Sequence, residues 1–98
     1  MKISVYMLSE EGCLDCKAAI TSLKNASLKS GVEFHLYVYD FSEDKAINLA
    51  IEHNLDSVPS FVIGKTAMNG PSFKETDLIL ALKKAQNDNR QDDNRQVS

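Results

Sequence analysis

The stretch ISVYMLSEEGCLDCK, residues 3–17, governs how the rest of this chain is read. Ile3, Val5 and Met7 alternate with Ser4, Tyr6 and Leu8, which predicts a strand over residues 3–8. Ser9 to Gly12 break that strand, and Gly12 is a flexible point immediately before Cys13. From Leu14 to about Ser30 the apolar period becomes helical. Cys16, Ala19, Ile20, Leu23 and Ala26 fall on one face of the expected helix. Lys24 and Lys29 sit late in it, where the helix dipole favours cations, and Gly31 is the expected C-cap.

Val32, Phe34, Leu36 and Val38 alternate with Glu33, His35, Tyr37 and Tyr39, the clearest strand pattern in the chain. Asp40 ends it. Ser42 is the expected cap of a second helix, with Glu43 and Asp44 in its first turn and an apolar face of Ile47, Ala50 and Ile51. Asn54 is a plausible stop. Val58-Pro59 then precede a strand over Ser60-Phe61-Val62-Ile63. Gly64-Lys65 read as a hairpin turn and Thr66-Ala67-Met68 as the returning strand. Asn69-Gly70-Pro71 read as a turn. A last helix is expected to start near Ser72 or Thr76, both good caps, and to bury Leu78, Ala81, Leu82 and Ala85.

The expected order is β-α-β-α-β-β-α in an α/β fold. The helical crossover makes the first two strands parallel, and the hairpin makes the four-stranded sheet mixed. Helices should cover both sheet faces. Residues 1–86 form the expected domain. Between Gln86 and Gln96 no residue is apolar, so residues 87–98 are expected to be a disordered polar tail or an extension of the last helix.

The 98 residues suit one domain, and 43% hydrophobic with 26% charged residues is close to a globular average. A net charge of −3 without a basic patch argues against a nucleic-acid partner. No apolar run is long enough for a membrane span. The first residues read as mature structure rather than a signal peptide, so a cytoplasmic, monomeric protein is expected.

Cys13 and Cys16 are the two cysteines, three positions apart. Cys-x-x-Cys has two common uses, redox chemistry or half of a zinc site. Zinc needs two further ligands, and His35 and His53 lie far apart without paired spacing, so a zinc site would have to be shared between chains. For redox chemistry the spacing is favourable. Cys13 lies just before the first helical turn, where the dipole and free N–H groups stabilise a thiolate, and Cys16 lies one turn further in. Cys13 is then the attacking sulfur and Cys16 the resolving one. Asp15 between them, and Glu10 and Glu11 before them, oppose thiolate formation, while Lys17 offsets part of this. Those charges predict a reducing rather than an oxidising pair.

Strand, Cys-x-x-Cys at a helix start, strand, helix, Val58-Pro59, hairpin and closing helix together resemble the thioredoxin superfamily, most closely its small glutaredoxin-like branch. The resemblance spans residues 2–85. It implies a three-layer thioredoxin-like sandwich with Pro59 in the cis form opposite the cysteines. It further implies that Val58 offers its backbone edge to an incoming cysteine-containing segment, which would dock as an added strand. The implied activity is that of a thiol–disulfide oxidoreductase serving as an electron carrier in cell redox homeostasis. Its partners would be disulfide-containing proteins, with a reductase or glutathione as donor and no bound cofactor.

Glutathione-using members carry a basic residue before the first cysteine and a proline after it, where this chain has Ser9-Glu10-Glu11 and Leu14. Asp77 is a weak match to their acidic helix start and a candidate glutathione or partner contact. Thioredoxin-type sites carry Trp, Gly and Pro around the cysteines and a buried Asp on the first strand. This chain has no Trp and has Met7 there. A non-catalytic partner-binding module with the cysteines as a clasp is the alternative function. Tyr6, Tyr37 and Tyr39 fit packing better than a substrate groove, and His35, His53 and Lys17 have ordinary surface roles as alternatives to catalytic ones.

Overall fold

The structure is a computed structural model that describes residues 2–70 and 73–97, with side chains as far as Asp88. Seven elements follow in order: β1 (Ile3–Ser9), α1 (Leu14–Ser30), β2 (Phe34–Asp40), α2 (Asp44–His53), β3 (Ser60–Ile63), β4 (Thr66–Asn69) and α3 (Glu75–Val97). The sheet runs β2-β1-β3-β4. β1 pairs in parallel with β2, from Ile3 opposite Phe34 to Ser9 opposite Asp40. β3 pairs antiparallel with both β1 and β4. This is the β-α-β-α-β-β-α mixed sheet that the alternation of periods requires.

One sheet face carries Ile3, Val5, Met7, Phe61 and Ile63. Cys16, Ala19, Leu23 and Ala26 of α1 and Leu78, Ala81, Leu82 and Ala85 of α3 pack on it as one buried cluster. Leu23, Leu78 and Leu82 are fully buried, each stabilising the fold by about 2 kcal/mol through apolar surface removed from water. Ile20 is only half-buried, at the margin of that stripe. The other sheet face is covered by α2, with Leu8, Ala46, Leu55 and Val62 buried together. β1 and β3 are therefore central, with β3 buried on both faces, whereas β2 is an edge strand with Tyr37 and Val38 partly in water.

Four local expectations are corrected. Val32 and Glu33 precede β2 rather than belonging to it. Val32 is buried, and its carbonyl accepts the Ser27 hydroxyl at 2.7 Å. Ser42 does not cap α2. The Asp40 carboxylate accepts both its N–H (2.9 Å) and its hydroxyl (2.7 Å), leaving Glu43 as an N-cap without a side-chain bond. The inward stripe of α2 is Ala46, Leu49 and Ala50, while Ile47 and Ile51 face water. Both stripes have helical spacing, and the Asp40–Glu43 turn sets which one meets the sheet. α3 starts near Thr76 as expected, but Thr76 does not cap it. The helix starts at Glu75, and the Asp77 carboxylate accepts the Lys74 N–H at 2.7 Å, the acidic half of a capping box. Ser72, and Pro71 of the expected turn, lie outside the described residues.

Gly31 and Asn54 close α1 and α2 in left-handed conformations, as expected. The backbone of α3 is helical past residue 86 into the polar C-terminal segment. Among the described residues, no helix is long and apolar enough to cross a membrane.

Candidate functional site

Both motifs come to one end of the sheet because of its register. β1 pairs antiparallel with β3, with Leu8 opposite Ser60. The chain leaving β1 toward Cys13 and the chain entering β3 from Val58-Pro59 therefore share that end. The Phe41 N–H donates to the Ser9 carbonyl at 2.9 Å, joining the exit of β2 to the same corner.

Residues 10–13 form a tight turn in which the Cys13 N–H donates to the Glu10 carbonyl at 3.3 Å. Gly12 has φ 78°, a conformation L side chains rarely adopt. The turn delivers Cys13 to the N-cap position of α1, where its Sγ accepts the Cys16 N–H at 3.0 Å. A cysteine thus occupies a position usually held by Ser, Thr, Asp or Asn. In the reduced protein that N–H and the helix dipole would favour a thiolate on Cys13. Cys13 and Cys16 are joined as a disulfide with their Cα atoms 5.3 Å apart. Cys13 is half-exposed, whereas Cys16 is 4% exposed. An attacking reagent can therefore reach Cys13 and not its partner.

The Val58–Pro59 peptide bond is cis. Pro59 lines a shallow recess with Asp15, Ala18, Ala19, Ser22 and Phe73. Cys13, Leu14, Cys16 and Lys17 line the neighbouring recess with Ser9, Glu10, Gly12 and Ile20. Cys13 and Val58 both pack against the larger buried cluster. Among the described residues, no hydrogen bond engages the Val58 N–H or C=O. Cys13, Cys16, Asp15, Lys17, Val58 and Pro59 are thus gathered at one corner. Asp77 lies further along, in a recess with Met68, Phe73 and Lys84, its carboxylate engaged with the Lys74 N–H.

The sequence reading missed the polar clasp that holds the Val58-Pro59 loop. Ser60, the one fully buried polar residue among those described, donates to the Ser57 carbonyl at 2.6 Å and accepts the Gly70 N–H at 3.4 Å. Asn69 accepts from the Ser57 hydroxyl at 2.8 Å and donates to the Asp56 carboxylate at 2.6 Å. The clasp ties both flanks of Pro59 to the end of β4. A serine directly after the proline, inside an otherwise apolar strand, was its one visible signal. Ser60→Ala leaves the Ser57 carbonyl and the Gly70 N–H without their partner. It is expected to destabilise the protein by about 2 kcal/mol, read by denaturant unfolding.

Asp40, at the exit of β2, sits near the cysteine turn. Its pKa is lowered, first by the Ser42 backbone N–H, then by the Ser42 hydroxyl, with burial opposing and the Glu11 N–H adding a smaller pull. The folded value is the lower one, so this contribution to stability is present above the ordinary aspartate value of 3.8. It is lost as the pH falls through the lowered value. Asp40→Asn is expected to flatten the stability change below about pH 4, measured as the unfolding midpoint against pH.

The histidines stay away from the sulfurs. His35 lies against Tyr37 on β2, with ring centroids 5.0 Å apart, and His53 is in the last turn of α2. Tyr6 stacks with Tyr37 and Tyr39 on the face beside α2, a packing role. Among the described residues, no three of His, Cys, Asp and Glu gather as metal ligands.

No family model and no curated protein matches this sequence. Solved structures do match its shape. An uncharacterised thioredoxin-like protein from Clostridium perfringens superposes with a TM-score of 0.65 at 17% identity, over 86% of this chain and 71% of that one. Thioredoxin 1 from Thermosipho africanus gives 0.59 at 13% identity, over 89% and 98%. Oxidised thioredoxin O2 from Arabidopsis thaliana gives 0.58 at 19% identity, over 85% and 74%. The fold is thioredoxin-like, as the order of elements and motifs implied.

Proposed function

We propose that this thioredoxin-like protein is a thiol–disulfide oxidoreductase that carries electrons to disulfides in other proteins. The observation that carries the reading is a Cys13–Cys16 disulfide at the N-cap of α1. One of its sulfurs is open to water and the other is walled in.

In the reduced protein the Cys13 thiolate bonds to one sulfur of a partner disulfide. The partner's second sulfur leaves with the bonding pair and takes a proton from solvent. Cys16 then gives up its proton and attacks Cys13 Sγ, and the partner's first sulfur leaves as a thiolate. Two electrons have passed to the partner, and the protein is left in the disulfide form seen here. A donor dithiol must reopen it by the same exchange. Among the described residues no hydrogen bond engages the Val58 N–H or C=O, which supports docking of the partner segment there as an added strand.

Glu10, Glu11 and Asp15 disfavour glutathione, itself an anion with two carboxylates, and so favour a protein reductase as donor. The expected setting is cytoplasmic redox homeostasis, with the protein a monomer. The test is insulin disulfide reduction, followed by turbidity, with electrons supplied by a thioredoxin reductase or by glutathione. The expected result is faster turnover with the reductase. Absence of turnover with both donors and with dithiothreitol would remove the proposed activity.

A further inference from the structure

We infer that the surface around Cys13 selects extended protein segments whose cysteine is flanked by lysine or arginine; this rests on the exchange function proposed above. Glu10 and Lys17 line the recess that holds Cys13, Asp15 lines the adjoining recess that holds Pro59, and Glu11 lies in the turn between. All three carboxylates and the Lys17 ammonium are exposed. The one ion pair among the described residues, Lys29 with Glu75, is at the start of α3 and uses none of them. Three anions against one cation therefore face an arriving segment without internal neutralisation.

The centre of this surface is apolar. Leu14, between the two cysteines, is 79% exposed; half-buried Ile20 lines the same recess, and half-buried Phe73 lines the adjoining one with Asp15 and Pro59. A leucine left so far in water beside a reactive sulfur gains most from a partner that covers it. The occupant is accordingly an extended strand with its cysteine at Cys13, an apolar residue over Leu14 and cations outside. Its backbone meets the Val58 N–H and C=O. Opposite charge at these exposed positions acts mainly on encounter rate and is screened by salt.

The test uses three synthetic peptides with one internal disulfide, identical except that Lys, Ser or Glu flanks each cysteine. Single-turnover reduction by the pre-reduced, reductant-free protein is measured for each. Each rate is divided by that peptide's rate with 2-mercaptoethanol, which removes the peptide's own reactivity. The expected order is Lys, then Ser, then Glu, with about a tenfold span at low salt that falls below about twofold at 0.5 M salt. The E10K/E11K variant should reverse the order, and E10Q/E11Q should flatten it. Equal normalised rates for the wild-type protein at low salt overturn the charge selection alone. Reduction of none of the peptides overturns the exchange function and this inference with it.

Discussion

Cys13→Ser is expected to lower disulfide reduction by roughly a thousandfold or more, whereas Cys16→Ser halts the cycle one step later. A serine hydroxyl is not ionised near neutral pH and forms no bond to sulfur that could continue the exchange. The N-cap geometry itself survives, because serine accepts the Cys16 N–H at least as well as sulfur does. Loss of activity without loss of fold therefore isolates the chemistry. In Cys16→Ser the exposed Cys13 still attacks, but no second thiol releases the partner. Intact-mass measurement should show a stable mixed disulfide on Cys13 in that variant and none in Cys13→Ser. If the roles of the two sulfurs were reversed, the adduct would form on Cys16, which is hard to reconcile with a residue 4% exposed.

Gly70→Ala is expected to cost about 3 kcal/mol of stability, the largest effect of an alanine at any of the four glycines. A Cβ at residue 70 would lie 1.8 Å from the Pro59 carbonyl oxygen and 2.9 Å from its carbon, far inside contact distance. Neither side can yield cheaply. The Ser57 hydroxyl shares its one proton between the Gly70 carbonyl, at 2.5 Å, and Asn69, and the Gly70 N–H donates to Ser60, so a retreat of this segment breaks the clasp. Displacing Pro59 instead moves the loop that carries Val58. Reduced stability in denaturant unfolding should therefore come with slower exchange. Gly12→Ala is the contrasting case. Its Cβ position is open, and the cost is the φ of 78° alone, about 1 kcal/mol.

The elements that were legible were those whose buried pattern has one solution. α1 carries a single apolar stripe and a terminal glycine, and it spans Leu14–Ser30 as its periodicity required. The β3–β4 hairpin and the buried face of α3 were equally plain. α2 was misread because Ile47 and Ile51 offered a second stripe with the same spacing. The larger side chains looked like the better core, yet Ala46 is the residue fully enclosed against the sheet. Capping was legible only where no rival acceptor stood nearby. Ser42 lost its cap role to the Asp40 carboxylate two residues earlier, and Asp77, not Thr76, reaches back to the Lys74 N–H.

The candidate site divides in the same way. Cys13, Cys16 and Pro59 stand out because their chemistry or backbone restriction is written into the residue type, whereas Val58 enters only through the resemblance to thioredoxin-like proteins. The clasp was not, because Ser57, Ser60, Asn69 and Gly70 acquire meaning only once β3 and β4 pair. Ser60 opposite Asn69 is a fact of register: the serine after the proline is visible in the sequence, but its partner across the hairpin is not.

The most direct measurement is the equilibrium of the Cys13–Cys16 pair in buffers of defined dithiol and disulfide ratio, with free thiols counted by mass after alkylation. One reversible two-electron transition is expected at a reducing potential, roughly −200 to −270 mV, with Cys13 the first thiol alkylated in the reduced protein. A pair that stays closed across the range, or a potential near −120 mV as in strongly oxidising proteins, would contradict this expectation.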